Sequence, residues 1–312
     1  MALAANVRQY FPPRRIQQME DDLADLAHLW EEGPWGWSLA TKQRYLRMGV
    51  PADQLPSDEW LAEVRRLSSR EFGVNYYARL NGLNGRDMLV PCQARFCTSL
   101  DEVQFSIFRS NLFAFRAKRG KNFKSSILKS PWSSSGRGNI IVGKDFTDQT
   151  TMQRIERVIR EQGGIVVEPF YDNKALDFAL EFDVSDDGAH FLGYSVFSAD
   201  ETGHYGGNVV ASQEKLLGII DLPQSFLDSL ISYHIDELGK LKYRGPVGID
   251  MMRLRDGRVH PCVEVNFRKT MGWLAIQVYE KLGNADRLLA GNPEHGFSAR
   301  VTDKRLSIDF NG

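Results

Sequence analysis

The segment Val263-Glu264-Val265-Asn266-Phe267-Arg268 alternates apolar and polar residues without a break. Successive side chains of a strand point to opposite faces, so Glu264, Asn266 and Arg268 share one face and Val263, Val265 and Phe267 the other. A second apolar run, 247–254, contains Asp250, and the Asp256-Gly257 turn between the two runs marks a hairpin. Pairing across that turn can bring Asp250 beside Glu264. Two carboxylates and an amide oxygen on one rigid face repel each other unless a hard cation sits among them. Mg2+ suits such a set, because it takes few protein oxygens and completes its shell with water and phosphate. A solvated polar face is the alternative, and the neighbouring residues are too apolar for an ordinary exposed hairpin.

Two further features precede this hairpin. Lys129 ends a strand-like run and is followed, after Ser130-Pro131-Trp132, by Ser133-Ser134-Ser135-Gly136-Arg137-Gly138. Backbone N–H groups of a small-residue loop can wrap phosphate oxygens, serine hydroxyls add donors, and Lys129 would set a positive charge against the α- or β-phosphate. By itself the loop is as consistent with a flexible connection, and it lacks the Gly-Lys-Ser/Thr ending of a P-loop. The second feature is Val166-Val167-Glu168-Pro169-Phe170-Tyr171, an apolar strand running into a linker. Free backbone groups there can read a purine edge and aromatics cover its face; a buried strand end explains the same residues. Asp177, nine residues after Glu168, could reach ribose hydroxyls.

The rest of the chain reads as mixed helix and strand. Helices are expected at 15–30, 39–48, 59–67 (opened or capped by Asp58), from Ser68 or Ser69 to about 80, and 99–108 behind a Ser99/Glu102 capping box. Leu89-Val90-Pro91 reads as a short strand, and 112–118 with 125–129 as a hairpin. Strands at 139–142, 164–168, 175–184 and 190–198, helices at 150–162, 225–241 and 273–282, and a strand at 305–310 follow. Asp200 to Asn208 reads as a polar, glycine-rich loop, either an ordinary surface loop or a lid carrying His204, Tyr205 and Asn208 to a substrate.

With 312 residues, two or three subdomains are expected. A formal charge of −1 supplies no field for nucleic acid or an anionic membrane. No run approaches the ~18 apolar residues of a membrane helix, nor is there an apolar signal core, so a cytoplasmic location is expected. Cys92, Cys97 and Cys262 fit no zinc spacing and no disulfide framework; Cys92 and Cys97 read as small hydrophobes on a buried strand and turn.

In this order, the Lys129 loop, the Glu168-Pro169-Phe170 linker, Asp250 and the Glu264-x-Asn266-x-Arg268 strand resemble the ATP-grasp superfamily, over roughly residues 125–280. Among its members are D-alanine–D-alanine ligase, biotin carboxylase and carbamoyl-phosphate synthase. Pro34-Trp35-Gly36-Trp37, Leu55-Pro56-Ser57-Asp58 and the Lys129–Gly138 stretch also resemble a group of bacterial ATP-grasp proteins whose substrates are unassigned; the tryptophans serve equally as core anchors. The resemblance implies an α/β chain in which nucleotide lies between two α+β subdomains, 68–170 (lid-like) and 171–312 (metal-bearing), behind a smaller N-terminal domain, 1–67. It implies ATP and Mg2+ as cofactors, two ions, with Mn2+ as an alternative. Lys129 would contact the α/β-phosphates, Ser133 to Gly138 form a flap, and Glu168, Pro169, Phe170 and Tyr171 form the adenine hinge. Asp177 would bind ribose, where the family more often has Glu. Asp250 and Glu264 would hold one ion, Glu264 and Asn266 a second, and Arg268 would steady the transferred phosphoryl group. The family's second phosphate-binding lysine has no counterpart; Arg70 or Lys118 stands in its place.

The implied reaction is ligation. A small-molecule or peptide carboxylate attacks the γ-phosphate, giving an acyl phosphate and ADP, and an amine then displaces phosphate to form an amide. A kinase that stops at phosphoryl transfer and a non-catalytic ATP-binding module remain as alternatives. A homodimer is compatible with this reading.

Overall fold

The structure is a computed structural model that describes residues 34–80, 86–116, 124–132, 139–143, 148–199, 205–282, 287–289, 298–302 and 305–309. Three short helices open the described chain: α1 (Leu39–Arg47), α2 (Asp58–Leu67) and α3 (Arg70–Arg79). Each starts where a serine, Ser38, Ser57 or Ser69, accepts a hydrogen bond from a first-turn N–H that the helix leaves unpaired. Asp58 therefore opens α2 and Ser57 caps it.

A four-stranded antiparallel sheet follows, built from β1 (Arg95–Cys97), β2 (Lys124–Lys129), β3 (Ile140–Gly143) and β4 (Ile165–Pro169), in the order β1-β4-β2-β3. Helices α4 (Leu100–Arg116) and α5 (Gln149–Gln162) pack against it. Leu128, Ile140, Val142, Ile165 and Val167 meet Val103, Ile107 and Ile155 in one core. Register puts Leu128 opposite Val167, and Ile127 opposite Glu168 on the other face. This sheet is thus apolar toward its helices and carries Ile127, Lys129 and Glu168 on the side away from them.

The second sheet has six strands in the order β10-β7-β6-β5-β8-β9, all antiparallel. They are β5 (Lys174–Ser185), β6 (Gly188–Ala199), β7 (Tyr205–Val210), β8 (Gly245–Leu254), β9 (Val259–Asn266) and β10 (Arg287–Leu289). One face joins Phe178, Leu180, Phe182, Tyr194, Val196, Val247, Ile249, Met251 and Val265 to α3, α6 (Gln213–Ile220) and α7 (Gln224–Gly239) in the main core. Helix α8 (Met271–Leu282) packs on β5, β6, β7 and β8, and a small hairpin, β11 (Ser298–Thr302) with β12 (Arg305–Asp309), ends the chain. No described helix is long and apolar enough to cross a membrane.

Several expectations need correction. Residues 112–116 continue α4, so there is no hairpin of 112–118 with 125–129; β2 pairs instead with β3 and β4. Val103, Ile107 and Ser110 are buried at helical spacing, and extending a formed helix needs no new nucleus. Leu89 makes only an isolated bridge to Val259, since Pro91 has no N–H for a ladder. Residues 205–208 lie in β7 between β6 and β10, and Asn208 is buried, so neither Tyr205 nor Asn208 belongs to a lid. Phe72, Tyr76 and Tyr77 of α3 share the core of the six-stranded sheet. Cys97 ends β1 and is buried, whereas Cys92 is half-buried outside any strand. The expected helix at 15–30 lies outside the described residues.

Two histidines are sealed in the core. His234 stacks on Tyr76, whose hydroxyl lies 2.8 Å from Nδ1, and His260 packs between Tyr77 and Tyr171. Burial pulls His234 down to about 3 and His260 down to about 4, so both are neutral near pH 7. An unfolded histidine titrates near ~6.5, so between these values the unfolded chain binds more protons and stability falls as pH falls. The urea midpoint should therefore drop between about pH 6.5 and about pH 4, and less steeply in His234→Gln. Equal slopes in the two proteins would contradict a neutral buried ring.

Candidate functional site

The face of the six-stranded sheet opposite its main core is polar, and register arranges it in rows. Ser195, Ala179, Asp250 and Glu264 lie side by side across β6, β5, β8 and β9. The neighbouring row is Gly193, Glu181, Gly248 and Asn266, and on the other side lie Phe197, Asp177 and Met252. The hairpin places Asp250 directly opposite Glu264, and its turn closes where Gly257 adopts φ 85°, a conformation glycine takes without a Cβ clash. Asn266 donates from Nδ2 to Asp250 Oδ2 at 3.1 Å. Burial pushes the Asp250 carboxyl well above the usual range, and the charges of Glu264 and Glu181 push it further, with Arg268 and Asn266 opposing.

The polar sides of the two sheets and the start of α3 line one cleft of about 730 Å³. Lys129 and Glu168 of the smaller sheet, both buried, form an ion pair. Arg70, at the start of α3, donates from Nη1 to Ser130 O at 2.7 Å, and its Nη2 lies 3.1 Å from Glu264 Oε1. Phe170, Tyr171, Met251, Met252 and Phe197 give the cleft an apolar end. Asp177 stands beside them, held by Lys174 Nζ at 2.6 Å and by the N–H of Ala199 at 3.2 Å. Its carboxylate is therefore already engaged by protein. The strand end carrying Lys129 is anchored by Trp132, which donates to Arg65 O and lies under the Arg65 guanidinium at 4.3 Å.

The expected residues are thus brought together in part. Arg70, Lys129, Glu168, Pro169, Phe170, Tyr171, Asp177, Asp250 and Glu264 all line the cleft. Asn266 and Arg268 do not line it; Asn266 reaches it through Asp250, and Arg268 Nη1 donates to Lys269 O at 3.3 Å. Residues 133–138, Lys118 and His204 lie outside the described residues. Among the described residues, no group of three or more His, Cys, Asp or Glu could hold a metal ion.

One polar residue of this face escaped the sequence reading. Glu181 is 1% exposed, accepts hydrogen bonds from Ser195 Oγ (3.0 Å) and Thr270 Oγ1 (2.8 Å), and burial pushes its carboxyl up to about 7. Two glycines make room for it. A Cβ on Gly272 would stand 2.0 Å from Glu181 Oε1, and one on Gly248 2.7 Å from Oε2. A lone carboxylate inside the apolar run Phe178-Ala179-Leu180-Glu181-Phe182 was the available signal. Glu181 ties β5 to Thr270, whose Oγ1 also accepts from the N–H of Trp273 at the start of α8.

No protein-family model and no curated protein matches the sequence. Among solved structures, the chain is similar to N5-carboxyaminoimidazole synthetase from Staphylococcus aureus complexed with ADP, at 10% identity and TM-score 0.44, over 66% of this chain and 46% of that one. It is similar to the β-γ-ATP complex of biotin carboxylase from Campylobacter jejuni, at 12% identity and TM-score 0.49, over 69% and 44%. It is also similar to L-amino acid ligase from Bacillus licheniformis, at 17% identity and TM-score 0.41, over 77% and 48%. The chain spans about half the length of these proteins. All three are ATP-grasp enzymes, and a likeness this distant carries nothing about ligand or reaction.

Gly272→Ala tests the Glu181 pocket. Helix propensity alone favours alanine by about 1 kcal/mol. Overpacking against Glu181 and Ser195 should instead destabilise by about 1–3 kcal/mol in urea unfolding. A stabilised variant would mean that the pocket can relax.

Proposed function

We propose that the chain is an ATP- and Mg2+-dependent ligase that activates a carboxylate as an acyl phosphate and joins it to an amine. One observation carries this reading: the Arg70 and Lys129 cations and the Asp250–Glu264 carboxylate pair line a single cleft with an apolar, aromatic end. Positive charge for a polyphosphate, oxygens for a hard cation and a slot for a base are the three requirements of a metal–nucleotide site.

The residues fit Mg2+. Asp250 and Glu264 are adjacent in register, and burial, followed by the charge of Glu264, raises the Asp250 carboxyl. With Asn266 they offer hard oxygen donors, few in number, which suits an ion that keeps water and takes phosphate oxygens for the rest of its shell. Bound there, the metal would neutralise charge on the transferring phosphoryl group.

The chain's own residues do the remainder. Lys129 and Arg70 bind phosphate oxygens. Backbone groups of Glu168 to Tyr171 read the base. Asp177, steadied by Lys174, presents its remaining acceptor capacity to the ribose. Arg268 acts on the site through its charge beside Asp250 and Glu264. In this reading the part of 68–170 that follows α3 acts as the lid side and 171–312 as the metal side, with 1–67 in front of both.

ATP binding by calorimetry, with and without Mg2+, checks the assignment. Wild type should bind ATP in the presence of Mg2+, and Glu264→Gln should weaken that binding by about tenfold or more, as loss of a metal carboxylate implies. No ATP binding by the folded wild type would sink the reading. A screen of carboxylate–amine pairs for ADP release then separates a ligase from a kinase, whose phosphorylated product would persist without condensation.

A further inference from the structure

We propose that the Arg70–Glu264 ion pair is exchanged for ligands on binding, so that metal and nucleotide each open the place the other needs. This rests on the cleft being the metal–nucleotide site proposed above.

Arg70 is fixed independently of Glu264. Its backbone N–H donates to Pro131 O at 3.0 Å, Ser69 caps the helix it starts, and Nη1 donates to Ser130 O at 2.7 Å. Its Nη2 lies 3.1 Å from Glu264 Oε1. The Arg70 side chain is 7% exposed and that of Glu264 23%, so both charges meet largely out of water. Lys129 and Glu168 form a second pair in the same cleft. Each of these two cations is matched to a carboxylate.

Removing one partner of a buried pair leaves an uncompensated charge, which costs far more than the intact pair contributes. A metal ion arriving alone must take Glu264 from Arg70 and strand that guanidinium close to Lys129. A polyphosphate arriving alone must draw Arg70 away and strand Glu264 beside Asp250. When both arrive, the metal replaces Arg70 at Glu264 and phosphate replaces Glu264 at Arg70, and no charge is left alone. Binding of the two is positively coupled, and coupling of this kind is reciprocal. Arg70 can make the exchange with little motion, since its contacts to Ser130 and Pro131 need not change.

The consequence is a reversal of sign in one variant. Calorimetry in EDTA with ATP, compared across wild type, Glu264→Gln and Asp250→Asn, measures it. Glu264→Gln should bind metal-free ATP about tenfold more tightly than wild type, a gain usual for coupled sites, although it binds ATP more weakly when Mg2+ is present. Asp250→Asn removes one negative charge from the same face, but the partner of Asp250 is Asn266, so its gain in EDTA should be much smaller. The reciprocal arm needs no nucleotide: Arg70→Gln should bind Mn2+ alone, followed by electron paramagnetic resonance, about tenfold more tightly than wild type. Thermal unfolding confirms that each variant is folded, and either arm stands if the other variant is not. Equal gains in Glu264→Gln and Asp250→Asn would reduce the effect to general repulsion and overturn the exchange. No gain in Mn2+ affinity in Arg70→Gln would also overturn it. Both results would leave intact a wild type that binds Mg2+ with ATP, whereas a wild type that binds neither would remove the underlying site itself.

Discussion

A strand sends alternate side chains to opposite faces, and the six-stranded sheet uses this to separate two environments only one backbone apart. Phe178, Leu180 and Phe182 are sealed against α3, α6 and α7, while Asp177 and Glu181 of the same strand face the other way. Burial of the apolar face fixes register, because a slip of one residue would drive carboxylates into the core. That constraint delivers Asp250 beside Glu264 and Glu181 beneath Thr270. The acidic face is thus a consequence of the core behind it.

The smaller sheet repeats the device with one charge of each sign. Leu128 and Val167 enter a core with α4 and α5, which leaves Lys129 and Glu168 facing the cleft. Strand β2 must be held from two sides for Lys129 to be placed: β3 and β4 pair with it, and Trp132 locks its exit to Arg65 of α2 and Gln162 of α5. Helix α3 links the two halves. It shares the core of the larger sheet through Phe72 and Tyr76, while its first residue, Arg70, bonds to the segment leaving β2. One short helix thereby couples the spacing of the cleft to the stability of the main core.

Glu181 belongs to a different part of the design. Its neighbours Gly248 and Gly272 have no side chain, and Ser195 and Thr270 both donate to it. A buried carboxyl satisfied in this way fixes the turn between β9 and α8, the segment that carries Arg268. It thus controls the edge of the acidic face without lining the cleft.

Much of this was legible in the sequence, for a physical reason: period-two alternation and turn residues are local. Val263 to Arg268, the Asp256-Gly257 turn, the strands around Asp177 and the serine cap of α3 all follow from nearest neighbours along the chain. Three things were not local. Whether residues 112–116 continue a helix or start a strand depends on what β2 pairs with, and β2 pairs with β3 and β4. That residues 205–208 form an inner strand depends on β10, which meets them from a distant part of the sequence. The partners of three charges, Arg70 with Glu264, Lys129 with Glu168 and Glu181 with Thr270, depend on which elements meet across the cleft and the sheet. The sequence by itself determined which side chains share a face. Only the tertiary structure decided what each face meets, because ion pairs and buried hydrogen bonds act over a few ångströms between residues that the chain keeps far apart.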